Sequence, residues 1–264
     1  VRHLGEEKID KKIPFVRELA KNYVGIDPVH EPIPVRPVVH YMMGGVDTDM
    51  MGRTLLPGLY AAGETACVSM NGANRLGSNS LSECLVFGAR VGKQAAEDAL
   101  AARPPDMSSL SRLAQAEEDR VVATYLAKEG GRERLAAVRR DLQHAMEQGA
   151  GVYRTEESLK GAAEEIRGLK DRYRDVALDD RSRAFNTELV AAFELENMLD
   201  VAECVVRSGL ERRESRGSHT RRDYATRDDE HFAKHSLALA TPEGPRIEYR
   251  DVTITRWPLA ERKY

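Results

Sequence analysis

The sequence predicts an α/β segment, then a helical bundle, then a small C-terminal α+β region. Three observations carry that reading. Glycine and proline punctuate residues 1–103. Residues 104–210 hold no proline after Pro104 and Pro105 and repeat apolar residues at helical spacing. Residues 211–264 turn polar before a strand-like tail. The expected divisions are therefore 1–103, 104–210 and 211–264.

In the first zone the punctuation implies short strands and tight turns around one strong helix. The prolines of Pro32-Ile33-Pro34-Val35-Arg36-Pro37-Val38-Val39 demand extended backbone before His40. Leu59 to Ala62 reads as a short buried strand after the turn at Pro57-Gly58. The strong helix follows Gly72-Ala73-Asn74-Arg75-Leu76-Gly77-Ser78-Asn79. Ser80 fits its N-cap and Glu83 the reciprocal position of a capping box. Leu81, Cys84, Leu85, Gly88, Ala89, Gly92, Ala95 and Ala96 form its apolar stripe, with Glu83 and Arg90 among the solvent-facing residues. The small members of the stripe permit close packing against a sheet.

The middle zone shows spacings of three and four. Leu110, Leu113, Ala114, Val121 and Tyr125 mark one helix. Leu135, Val138, Leu142 and Met146 mark a second, and Leu159, Ala162, Ile166, Leu169 and Tyr173 a third. Leu189 to Val206 is apolar on nearly all sides and is expected to be the buried central helix of an antiparallel bundle. The tail crowds Arg216, His219, Arg221, Arg222, Asp223, Arg227, Asp228 and Asp229 together, which reads as a structural cluster of exposed ion pairs.

Composition excludes several classes of function. The 264 residues allow one or two domains. With 40 basic and 43 acidic residues the net charge is −3, which argues against a nucleic-acid platform. Apolar residues make up 41%, which argues against disorder. The longest largely apolar stretch, Val121 to Ala127 with Thr124 inside it, falls far short of the ~20 residues of a membrane helix. Cys67, Cys84 and Cys204 are far apart and form no C-x-x-C, so a disulfide framework and most metal sites are not expected. Free buried thiols in a reducing compartment are. The chain opens at Val1 on a polar segment with neither an initiator Met nor a signal peptide, and reads as a cut inside a larger protein.

The candidate chemistry lies in residues 33–92. Gly63 allows close backbone approach to a ligand, and Glu64 after it suits hydrogen bonds from sugar or ribityl hydroxyls. The glycine-rich loop before the helix concentrates free N–H groups and positive dipole where negative charge could sit. Arg75 within it can grip a carboxylate with its fork. His40, ending the proline-spaced run before Gly44-Gly45, is placed to face a pocket.

These motifs are recognisable together. HYMMGG at 40–45, LPGLYAAGE at 56–64, GANRLGSNSL at 72–81 and RRESRGSHTRRDYATRDD at 212–229 occur in this order. Over essentially its whole length the chain resembles the C-terminal portion of the flavoprotein subunit of succinate dehydrogenase and fumarate reductase. The resemblance implies that residues 1–103 are an incomplete remnant of an FAD-binding α/β domain. It implies that His40 and Arg75 bind a dicarboxylate substrate, succinate or fumarate. Gly63, Glu64, Asn79, Ser80 and Leu81 are implied to contact FAD. It also implies an iron–sulfur partner subunit, membrane anchor subunits, and a peripheral place on the cytoplasmic face of the inner membrane or the equivalent matrix side. No G-x-G-x-x-G occurs in the chain. The other half of the FAD site and the family's proton-shuttle arginine are expected upstream, with no catalytic residue in this chain and the fragment alone inactive. L-aspartate oxidase has similar HYxxGG and GANRLxSNSL motifs and stands as the alternative enzyme. Gly77 and the run from Arg227 to His235 favour the first family. A truncated, non-catalytic scaffold piece is the alternative of another class.

Overall fold

The computed structural model describes residues 1–260. Backbone contacts divide the chain into two compact units, Val1–His40 and Tyr41–Tyr264. The first is helical, where short strands were expected. Helices α1 (Glu6–Lys12) and α2 (Pro14–Leu19) follow one another, Pro14 supplying the fixed φ that suits a first helical turn. Ile9 is fully buried. Arg17 binds Asp27, Asp10 and Glu6 at 2.7–3.0 Å. Its hydrogen bonds, with that of Lys21, hold the Asp27 carboxyl well below the usual range. The proline-spaced run 32–39 has no regular secondary structure.

The second unit begins with two very short strands, β1 (Val46–Asp47) and β2 (Ala66–Cys67), paired in parallel. The expected strand at 59–62 is reduced to a single bridge between Arg53 and Tyr60. Helix α3 (Asn79–Ala101) packs Phe87 and Val91 on Val68, with Tyr60 and Ala62 beside them. Helix α4 (Met107–Val121) is capped by Asp106, whose carboxylate accepts from the amides of Ser108 and Ser109. Its expected core residues Leu110 and Leu113 are exposed, however.

The principal core belongs to α5 (Leu135–Gly149), α6 (Glu156–Tyr173) and α7 (Thr187–Glu211). Each start has a local cause in α6 and α7. Thr155 and Ser158 form a capping box, and the Asn186 side chain accepts from Leu189 N at 2.8 Å. Val138, Leu142, Leu159, Ile166, Leu195, Leu199 and Val206 are at most 2% exposed. Side chains of this size each contribute about 1.5–3 kcal/mol on burial. The central helix was expected to be buried nearly all round. It is buried on one face, while Val190 and Val201 are open to solvent.

The unit closes with α8 (Asp229–Phe232) and the antiparallel hairpin of β3 (Lys234–Leu239) and β4 (Arg246–Asp251). Arg250 of β4 grips Asp47 of β1 at 2.6 and 2.7 Å, tying the hairpin to the parallel pair. The charged cluster of the tail is structural, as expected, but its centre is not exposed. Arg221 and Glu214 are at most 1% exposed. The Arg221 guanidinium forks to Asp223 and donates to the carbonyls of Gly209, Leu210 and Arg212, closing the end of α7. Cys67, Cys84 and Cys204 are free, yet none is fully buried. Among the described residues, no helix is long and apolar enough to cross a membrane and no cluster could hold a metal ion.

Candidate functional site

Four side chains of the second unit gather beside the start of α3. Ser78, in a left-handed conformation at φ 64°, turns loop 72–78 into the helix, and no side chain caps it. The expected Ser80–Glu83 capping box is absent because Glu83 faces inward. It is 2% exposed. Its Oε2 accepts from Tyr41 Oη at 2.9 Å and Asn71 Nδ2 at 2.5 Å. Glu83, Phe87 and Val91, four residues apart, are the buried line of α3. The expected stripe of Leu81, Leu85 and their small neighbours is exposed instead.

Tyr41 joins the buried carboxylate to the arginine. Burial first, and the Glu83 carboxylate second, push its phenol up to about 12, so it is a neutral donor at physiological pH. The guanidinium carbon of Arg75 lies 4.6 Å from the Tyr41 ring centroid. A cation over an aromatic face gains about 0.5–2 kcal/mol. Arg75 Nη1 donates to the Leu76 carbonyl at 3.1 Å, and its Nε is buried without a hydrogen-bond partner. None of its described partners is a carboxylate. A half-buried guanidinium in that state can receive an anionic oxygen pair.

The other predicted residues take different places. Gly63 is buried at φ +77°, and a Cβ there would stand 3.1 Å from Cys84 Sγ. Backbone at this point can therefore come closer to a neighbour than any residue bearing a side chain would allow. Glu64 is exposed, and its Oε1 accepts from Met42 N at 2.9 Å. Asn79 and Ser80 are half-buried in the uncapped first turn of α3, and Leu81 is exposed beside them. His40, the last residue of the first unit, is exposed and lies outside regular secondary structure. Tyr41, Asn71 and Glu83 were not singled out from the sequence as site residues. The available signal was the four-residue spacing of Glu83 with Phe87 and Val91.

Two further histidines have structural partners. Arg154 Nη1 lies 3.1 Å from His219 Nδ1, and a guanidinium only donates. His219 Nδ1 is therefore an acceptor, and its Nε2–H donates to the Arg212 carbonyl at 3.1 Å. Burial, with Arg154, Arg221 and Arg212 nearby, lowers its proton affinity, while the bond to the Arg212 carbonyl opposes this. His235 Nε2 is 2.9 Å from Ser69 Oγ.

The family described as fumarate reductase flavoprotein C-term matches residues 139–264. The family described as FAD binding domain matches residues 1–81. The fumarate reductase flavoprotein subunit of Mycobacterium tuberculosis is 56% identical over the whole chain, which covers 46% of that protein. The succinate dehydrogenase flavoprotein subunit of Rickettsia bellii is 37% identical over 97% of the chain, covering 44% of its own length. A solved quinol fumarate reductase structure from E. coli matches 99% of this chain and 45% of its own at a TM-score of 0.93, with 44% identity. The chain thus spans a little under half the length of the relatives it matches.

Proposed function

Since the chain belongs to the flavoprotein-subunit family of fumarate reductases and succinate dehydrogenases, as its C-terminal portion, we propose that it supplies substrate-binding and flavin-binding residues to an FAD-dependent enzyme interconverting succinate and fumarate. The observation that carries this reading is Arg75. Its guanidinium is seated on Tyr41 and, among the described residues, has a buried Nε without a partner and is paired with no carboxylate. Holding such a charge ready lowers the reorganisation needed when a substrate carboxylate arrives.

Several features fit FAD. No side chain caps the first turn of α3, and although its Asn79 and Leu81 amides donate to the Leu76 and Ser78 carbonyls at 3.2 and 3.1 Å, the positive end of the helix suits negative charge on a reduced ring. Gly63 leaves room for close backbone approach, and Glu64 has a second carboxylate oxygen available beside the one held by Met42 N. Asn79, Ser80 and Leu81 present the turn itself. FAD, when bound, supplies a two-electron hydride acceptor or donor. Arg75 would hold one substrate carboxylate through its fork, and His40 would donate to a carboxylate. Tyr41 would keep the Arg75 guanidinium from turning away, and Glu83 would hold Tyr41 and Asn71. The proton-transfer arginine is assigned to the upstream part of the full-length protein, and the exposed Leu81 and Leu85 face of α3 to a seat against that part.

The three zones 1–103, 104–210 and 211–264 then read as the end of an FAD-binding domain, a helical bundle and a C-terminal domain. An assembly of the complex II kind is proposed, with an iron–sulfur subunit, membrane anchor subunits and a peripheral place at the membrane. Fumarate reduction is the favoured direction, because the fumarate reductase subunit above shares 56% identity and the succinate dehydrogenase subunit 37%.

The test is malonate binding to the full-length, FAD-loaded protein, read as a flavin spectral change. Arg75→Lys loses the planar fork and should weaken binding by about 2 kcal/mol. His40→Ala should weaken malonate with flavin content unchanged. Wild-type malonate affinity in Arg75→Lys overturns the substrate assignment.

A further inference from the structure

The loop that carries Arg75 is held from behind by a turn of the C-terminal region. Ser218 donates twice to the Ala73 carbonyl, from its amide at 3.0 Å and from Oγ at 2.9 Å. Gly217 meets the same peptide. A Cβ on Gly217 would stand 2.5 Å from Ala73 O and 2.6 Å from its carbonyl carbon, and the residue sits at φ +59°. Ala73 is two residues before Arg75, on the loop that leads into α3.

The turn is built to be stiff. Arg216 N donates to the His219 carbonyl at 2.9 Å, and His219 N to the Arg216 carbonyl at 3.0 Å. The Arg216 guanidinium is fixed by the fully buried Glu214 at 2.7 and 3.0 Å and by Asp229 at 2.6 Å. At the other end, the His219 ring is clamped between Arg154 and the Arg212 carbonyl. Both ends of the turn are thus anchored in the buried charge cluster, while its tip presses on one peptide of the Arg75 loop. Just before that loop, Asn71 is tied to Glu83. A glycine-rich loop with few apolar contacts of its own needs such outside support to keep a side chain in one place.

We infer that Gly217 and Ser218 are positioning residues for Arg75, so that the C-terminal region sets the dicarboxylate affinity of a site to which it contributes no ligand. This inference rests on the proposed role of Arg75. It also gives the charged cluster of the tail a purpose beyond closing α7, since the cluster is the anchor from which the turn reaches the loop.

The experiment uses the full-length, FAD-loaded protein, with malonate as the probe and hydrogen exchange of amides 72–78 as a second readout. Gly217→Ala drives a methyl into the Ala73 peptide and should raise the malonate Kd about tenfold or more, because small misplacements of a gripping group cost large factors. Exchange at amides 73–76 should rise with it. Ser218→Ala keeps the backbone bond and should raise the Kd about threefold, as for one neutral hydrogen bond. Ser218→Thr, which retains the hydroxyl, should restore it. If Gly217→Ala fails to fold, the Ser218 pair decides. Wild-type affinity and wild-type exchange in the Ser218→Ala protein overturn the inference. Arg75→Lys is measured in parallel. If it leaves malonate binding unchanged, the dicarboxylate reading has failed, and exchange at amides 73–76 in the Gly217 and Ser218 variants still decides whether the turn holds the loop.

Discussion

Helices α5, α6 and α7 and helix α3 carry apolar stripes of similar length, yet in the bundle the stripes are covered and on α3 the expected stripe is open. Leu142, Ile166 and Leu195 are at most 2% exposed. Leu81 and Leu85 are 68% and 76% exposed. The bundle closes on itself because three consecutive helices each offer an apolar face to the others. The region around α3 buries only Val68, Phe87 and Val91 as an apolar cluster, and next to it the Glu83 carboxylate with its two donors. Periodicity shows that a face is apolar. It does not show whether a neighbouring element covers it. Helix α4 repeats the point, because Leu110 and Leu113 keep helical spacing and remain exposed.

The contrast can be broken most sharply by truncating one leucine from each helix. Leu195→Ala in the 264-residue chain should lose about 2–5 kcal/mol of unfolding free energy, the transfer term plus the cavity. Leu85→Ala should change it by less than about 0.5 kcal/mol. Chemical denaturation measures both, and comparable losses would show that the α3 stripe is covered after all. A smaller effect is expected at the polar part of the α3 region. Glu83→Ala should cost about 1–3 kcal/mol, because the Tyr41 hydroxyl and Asn71 amide lose their buried acceptor. An unchanged denaturation midpoint would mean that water replaces the carboxylate without loss.

The smallest effect separates the two regions by pH. His219 is held neutral in the folded chain, with a lowered proton affinity. The unfolded state therefore binds the proton first as pH falls below about 6.5. Stability is then full above that value and declines below it, by at most about 1.4 kcal/mol per pH unit for one proton. Denaturation at pH 7 and pH 5 should show a shallower decline for His219→Gln than for the unaltered chain. Equal slopes would show that His219 titrates normally.

Much of this is legible in the sequence. The faces of α5 and α6, with Val138, Leu142, Leu159 and Ile166 inward, follow from spacing alone. The loop carrying Arg75 and the helix behind it were marked by Gly72, Gly77 and the small polar residues Asn74, Ser78 and Asn79. What misled was local plausibility. Ser80 and Glu83 have the right spacing for a capping box, and a capping box would have put Glu83 in solvent. Gly63 and Glu64 were found by motif, but the strand expected before them shrinks to one bridge at Tyr60.

The sequence by itself determined which residues are apolar, where helices can start and stop, and which motif carries Arg75, because these depend on neighbours within a few positions. Tertiary structure alone decided that Glu83 turns inward, since Tyr41 and Asn71 are 42 and 12 residues away from it. It alone decided that Ser218, 145 residues from Ala73, holds the Arg75 loop. It also turned a run of charges in the tail into a buried cluster around Glu214 and Arg221. A charged side chain gains its place in a core only from the surroundings that the fold brings to it: the donors of Glu83 lie 12 and 42 residues away, and while Glu214 and Arg221 pair with residues only two positions away, spacing does not record that these pairs are buried.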